Sequence, residues 1–316
     1  MRCINPCRSR TVSPLILLLL LMILTGNPVF AQADFSGQWA PLYHEDTIER
    51  LPGPELGDYT GLPLNEAGRM RADSWDADRI SVVQEYQCRP HVGHYALRGL
   101  GPMRIWNEYD PATQRVSAYR MYWAAYESQR TIYLDGRPHP PDYVAHTFQG
   151  FSTGVWEGNM LTITTTHFKP GYTRRNGVPS SAKAKLTEHW VRHGDYLTIT
   201  SVLEDPAFLA EPLVRSQNWF FDPGQRAGLF PCEYLPEVPQ PQGAVPHHLP
   251  DTNPHLKEFP GWYALPFEAT RGGPETLYPE YRLKLGKYTP LLRCERFCDC
   301  MSFADCLSPF PPRGQR

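Results

Sequence analysis

Apolar and polar positions along this chain alternate in short runs, and the repeat is two residues far more often than 3.6. Helical periodicity is confined to one good candidate, Leu64 to Trp75, and it is short. From Ser81 onward the pattern predicts strands. Met103 to Tyr109 is followed by Asp110-Pro111, a turn signal. Val116 to Tyr126 is long and aromatic, and Gln129 to Leu134 runs into the turn pair Asp135-Gly136. Gly154 to Glu157 turns at Gly158-Asn159 into Met160 to Thr166, a run rich in the β-branched residues that strands favour. Leu186 to Val191 turns near Gly194-Asp195 and returns as Tyr196 to Leu203, and Leu213 to Phe221 adds one more strand. About eight to ten short strands without strand–helix alternation predict a mainly β fold: a single antiparallel barrel, lipocalin-like, or a sandwich.

The two ends differ from this body. Arg2, Arg8 and Arg10 precede an unbroken apolar run, Leu15 to Leu24, and Ala31-Gln32-Ala33 supplies a small-x-small cleavage pattern. Residues 1–33 therefore read as a secretory signal. Their apolar core is shorter than the roughly 20 residues that span a bilayer, and no later segment is apolar enough to span. After Cys232 the texture changes again, with prolines from Pro231 to Pro260 punctuating a stretch of few apolar pairs. The expected organisation is a signal at 1–33, a barrel at 34–234, a proline-rich extended wrap at 235–285, and a disordered cysteine-containing tail at 286–316. The expected location is the periplasm or outside the cell.

Charge narrows the partners. The signal takes three of the 31 Lys and Arg and none of the 33 acids, so the mature net charge is −5. That balance, with no basic run beyond Arg174-Arg175, argues against nucleic acid and anionic lipid. Six cysteines survive cleavage. Cys88 and Cys232 are the two inside the folded body and are expected to pair in an oxidising compartment, two separate buried thiols being the alternative. Cys294, Cys298, Cys300 and Cys306 do not have zinc spacing. His139, His146, His189 and His193 give no tight ligand pair, so neither a metal nor another cofactor is expected.

Strand parity selects the candidate chemistry. Leu186, Glu188 and Trp190 share a face, which puts a carboxylate between large apolar side chains. Arg130, Ile132 and Leu134 do the same for a guanidinium. Leu161, Ile163 and Thr165 share a face that His167 continues. A buried carboxylate must be paired or shifted in pKa, so Glu188 and His167 are the catalytic candidates. Arg130, Trp190, Trp123, Tyr126 and His146 are the candidate ligand-binding residues. A structural Glu–Arg pair plugging the barrel is the bland alternative. Gly150-x-Ser152-x-Gly154 matches a hydrolase nucleophile motif, but the helix that motif requires does not follow it.

Several spaced motifs, Arg130 to Pro140 (RTIYLDGRPHP), Gly150-x-Ser152-x-Gly154-x-Trp156-Glu157-Gly158-Asn159-x-Leu161, Thr187-Glu188, Glu204-Asp205-Pro206 and Pro231-Cys232-Glu233, resemble those of a large family of secreted bacterial proteins without an assigned activity. The likeness runs over about 34–285. Asn159 stands where that family has aspartate in its turn, and His167 where many members have glycine. The resemblance implies export and β architecture and leaves the function open. Three functions fit these residues. The first is binding of a small, largely apolar molecule inside the barrel, which the aromatics Trp106, Trp123, Tyr126, Trp156, Trp190 and Trp219 would line. The second is an isomerase, lyase or hydrolase using Glu188 as acid or base. The third is a structural or partner-binding envelope protein. The oligomeric state is left open.

Overall fold

The structure, a computed structural model, describes residues 32–42, 54–79, 83–98, 101–229, 231–235, 241, 243–262 and 264–285. Residues 1–31 of the signal expected at 1–33, and the cysteine tail from 286, lie outside the described residues.

Alternation produces the expected mainly β fold. Strands β1 (Gly37–Pro41), β2 (Met103–Tyr109), β3 (Val116–Trp123), β4 (Ser128–Tyr133), β5 (Phe151–Glu157) and β6 (Met160–Thr166) come first. A small hairpin follows, β7 (Gly171–Arg174) and β8 (Val178–Ser180), and then β9 (Lys185–His193), β10 (Tyr196–Glu204) and β11 (Leu213–Phe221). All but β7 and β8 form one closed barrel in the order β1-β11-β10-β9-β6-β5-β4-β3-β2. β1 closes the ring by pairing on both sides: Trp39 stands opposite Phe221 on β11 and opposite Met103 on β2.

The strand count has a geometric consequence. Directions around a ring must return to their start, so a ring with an odd number of strands contains at least one parallel pair. Here it is β4 and β5, which meet only at Ile132↔Ser152 and Tyr133↔Thr153, while every other pair is antiparallel. The barrel is thus antiparallel with one parallel seam. Parallel neighbours need a long crossover rather than a hairpin. Residues 134–150 make it, and they contain the Arg137-Pro138-His139-Pro140-Pro141 stretch.

Inward positions fill the barrel. Phe35, Trp39, Met103, Met121, Ile132, Leu161, Ile163, Trp190, Leu197, Ile199 and Trp219 belong to one core cluster and are almost fully inaccessible, as is Trp123. Phe35 packs edge-on against Trp190 and stacks on the partly buried Trp156. Of the aromatics expected to line a hollow interior, Trp123, Trp190 and Trp219 instead occupy it, and Trp106 faces outward. The axis is taken up by the protein's own side chains.

A second apolar cluster, including Leu62, Leu64, Phe168, Val178, Leu186, Leu203 and Leu213, caps one region of the barrel. Helix α1 (Glu66–Asp73) joins it through Ala72 and starts on Asn65, whose side-chain oxygen accepts from Gly68 N at 2.9 Å. The proline-rich segment folds into short helical turns at Pro254–Lys257, Glu258–Trp262, Phe267–Thr270, Pro274–Leu277 and Pro279–Leu285. These attach around α1: Tyr59 N donates to Thr270 O, Gly273 N to Leu62 O, and Arg271 forms a two-pronged ion pair with Asp73. Cys88, just after α2 (Gln84–Gln87), is disulfide-bonded to Cys232, and the Gln87 amide exchanges two hydrogen bonds with the backbone of Leu235. The pairing expected from the sequence is present, and it fixes the chain leaving the barrel.

Candidate functional site

Parity on four strands, β4, β5, β6 and β9, brings the central polar group together. Glu188 on β9 and Arg130 on β4 both point inward, and their side chains are completely buried. The guanidinium is engaged on every nitrogen. Nε donates to Ser152 Oγ at 2.9 Å and Nη1 to Glu188 Oε1 at 3.2 Å; Nη2 donates to Thr165 Oγ1 at 2.6 Å and to Glu188 Oε2. Ser152 Oγ and Thr165 Oγ1 lie 2.9 Å apart, and the Trp190 indole N–H donates to Glu188 Oε1 at 3.3 Å. Two buried charges tolerate such a place only when paired and hydrogen-bonded in this way.

This arrangement decides what the group can do. Both carboxylate oxygens accept from Arg130, so neither is free to take a substrate proton. Ser152 sits in β5, fully buried, with its hydroxyl in the same network, which is not the exposed elbow of a nucleophile.

His167 is not part of it. Parity fails because β6 ends at Thr166 and His167 adopts a left-handed backbone, φ 61°, which turns the side chain out of the series. Its ring pairs with Thr166 Oγ1 at 2.7 Å and with Pro141 O at 3.0 Å, against the His146 ring at 5.0 Å. His139 bridges Thr166 Oγ1 and Thr153 Oγ1, and His146 contacts Phe168 O at 2.8 Å. These three histidines stitch the crossover to the barrel wall. Among the described residues no group of three or more His, Cys, Asp or Glu side chains is placed to hold a metal ion.

The accessible candidate lies at the seam. β4 and β5 part beyond their two paired positions, leaving a cleft of about 390 Å³. Pro90, Tyr126, Tyr133, Phe148 and Phe151 give it apolar walls, and Ser128, Arg130 and Gln149 also line it. Its floor is held in uncommon backbone. Tyr126 and Glu127 have φ values of 54° and 48°, while Gly150 has φ 69° with no room for a Cβ, which would meet Thr166 O at 2.5 Å. Two wall groups lack partners: Ser128 Oγ and Gln149 Oε1 are buried without a hydrogen bond. Trp123, opposite Ser128 in the β3–β4 register, buries an indole N–H in the same condition. Unmet buried groups are rare, and each calls for an explanation.

Tyr126 also packs edge-on against His91, ring centroids 5.0 Å apart. Burial, with a smaller contribution from Arg175, pushes the His91 imidazole down to about 4, so it is neutral at neutral pH. Two residues chosen from sequence, Arg130 and Tyr126, therefore meet at one cleft. Trp123 and Trp190 lie behind it in the core, and His146 lies on the crossover. Ser128, Gln149 and His91 were missed. Ser128 and Gln149 carried no signal beyond polar residues beside an aromatic strand; only the parallel seam brings them together.

Comparison of the chain with protein-family models, with curated proteins and with solved structures yields no match. Among the described residues no helix is long and apolar enough to cross a membrane.

Proposed function

We propose that this protein is exported and binds a small, largely apolar molecule with one polar group, at the β4–β5 seam rather than along the barrel axis. The observation that carries the reading is the pair of buried, unpartnered atoms, Ser128 Oγ and Gln149 Oε1, on the wall of an aromatic-sided cleft. Apolar walls with a few convergent polar groups are the usual make-up of a ligand site. A hydroxyl-bearing ligand supplies both missing partners: its oxygen accepts from Ser128 and its hydrogen is donated to Gln149. The Cys88–Cys232 bond supports an oxidising compartment.

A fluorescence titration with 1-naphthol, an apolar bicyclic ring with one hydroxyl, tests the reading. Saturable binding is expected, weakened about tenfold by Ser128→Ala. The same variant removes an orphaned hydroxyl, so its thermal midpoint stays level or rises. Binding that is absent, or indifferent to Ser128→Ala, contradicts the proposal.

The filled axis favours one second reading, a structural envelope protein whose barrel is a rigid post and whose clefts are unoccupied. That reading predicts no saturable ligand at either β4 or β5. Glu188 as acid or base receives no support from a carboxylate sealed against Arg130.

A further inference from the structure

A second cleft lies outside the barrel, between α1, α2 and the β7–β8 hairpin, and encloses about 230 Å³. Its lining reverses the acidic balance of the chain. Arg71, Arg79 and Arg89 face it, and among the described residues no Asp or Glu lines it. The aromatic rings Trp75, Tyr86 and Tyr172 form much of the rest.

The cations are arranged on the rings. The Arg89 guanidinium lies 4.0 Å from the centroid of Tyr86, and that of Arg79 lies 5.4 Å from Trp75 and 5.8 Å from Tyr86. Arg79 is almost fully buried, and its Nε donates to Pro246 O, so the side chain cannot swing into solvent. Trp75 in turn packs edge-on against Tyr172, ring centroids 5.1 Å apart, and presses on the hairpin at Gly177. That glycine has φ 93°, and a Cβ there would lie 2.2 Å from Trp75 Cγ. The cleft is thus assembled before any ligand arrives, which lowers the entropic cost of binding.

One donor in it is unmet. The Tyr172 hydroxyl is buried and makes no hydrogen bond. Burial pushes this phenol up, while Arg89, and after it Arg79 and Arg71, pull it back, so all three cations act on that oxygen. A buried O–H donor beside clustered guanidinium groups matches an anionic oxygen acceptor.

We propose that this cleft binds an aryl oxyanion, a single flat ring bearing a carboxylate or a phosphate. The oxyanion faces Tyr172 and the arginines, and the ring lies against Trp75 and Tyr86. Size agrees: an apolar cavity of about 150 Å³ accommodates benzene, so this cleft has room for a ring and its acid group. The site shares no lining residue with the seam cleft, so failure here leaves the function proposed above standing.

Isothermal titration of the full, disulfide-bonded chain with four probes tests the inference: benzoate, phenyl phosphate, inorganic phosphate and benzyl alcohol. At least one of the two aryl anions is expected to bind about tenfold more tightly than either inorganic phosphate or benzyl alcohol, and which of them does so identifies the acid group. Arg71→Gln, at an exposed rim position, and Tyr172→Phe, which deletes only an unpartnered hydroxyl, should each weaken that binding by about tenfold while the thermal midpoint holds. Benzyl alcohol or inorganic phosphate binding as tightly as both aryl anions would overturn the inference. So would aryl-anion binding that neither substitution weakens.

Discussion

Replacing Glu188 by Gln keeps the side chain's shape and removes its charge. In the native barrel the carboxylate accepts from Arg130 Nη1 and Nη2 and from the Trp190 indole. A glutamine amide offers one oxygen to these donors and turns its own NH₂ toward another. Arg130 would then keep its charge, fully buried, with only neutral acceptors left to it: one amide oxygen and the Ser152 and Thr165 hydroxyls. Removing one partner of such a pair costs about 3–5 kcal/mol. At about 2–4 °C per kcal/mol for a domain of this size, the thermal midpoint should fall by roughly 6–20 °C. Urea denaturation of the wild type, Glu188→Gln, Arg130→Met and the double substitution Arg130→Met/Glu188→Leu measures the coupling. The double variant should recover much of the loss, because Ser152 and Thr165 still hydrogen-bond each other and no charge is left buried. A Glu188→Gln protein within about 1 kcal/mol of wild type would refute the argument that the pair is a sealed structural plug.

Three further outcomes follow from other parts of the molecule. Reducing Cys88–Cys232, which spans a sequence separation of 144, should lower stability by about 2–4 kcal/mol, and non-reducing peptide mapping should recover the linked pair; free thiols in exported protein would contradict it. Burial, with Arg215 adding to it, pushes His94 down to about 3, so below its ordinary 6.5 the unfolded chain binds more protons than the folded one. Stability should therefore fall as pH drops from about 6.5 to about 5, by up to about 1.4 kcal/mol per pH unit for each buried histidine, and His94→Gln should flatten that slope; an unchanged slope counts against it. N-terminal sequencing of the protein from its native host should begin at Asp34, and recovery of the uncleaved chain would overturn the export reading.

Much of the barrel was legible because a two-residue period is a local signal. Met103–Tyr109 and Leu213–Phe221 are bounded as their alternation predicts, and α1 falls inside Leu64 to Trp75. The inward direction of Glu188 and Arg130 followed from the same counting. β1 was missed, since Gly37 and Pro41 at its ends read as breakers, and the β7–β8 hairpin is too short for alternation to show. His167 was misplaced because one left-handed residue cancels parity, a backbone event that no side-chain pattern announces. The seam was invisible for another reason: β4 and β5 are joined by a long crossover, and their parallel pairing is a property of the ring. The spaced motifs acquire a physical account. Arg130, Ser152 and Glu188, drawn from three of them, meet in one ion-pair network. Asp205, from a fourth, accepts from Ser181 N and Oγ and from Ala207 N, and Cys232, from the last, closes the disulfide. The motif residues so placed hold the fold together.

The central claim is that the barrel axis is filled and the ligand enters at the seam. Amide chemical-shift mapping with 1-naphthol tests it most directly. The account predicts perturbations clustered at Gln129, Thr131, Gln149, Gly150 and Phe151, on the two strand edges that part. Perturbations running instead through Leu197, Ile199 and Trp219, on the far wall of the barrel, would contradict it.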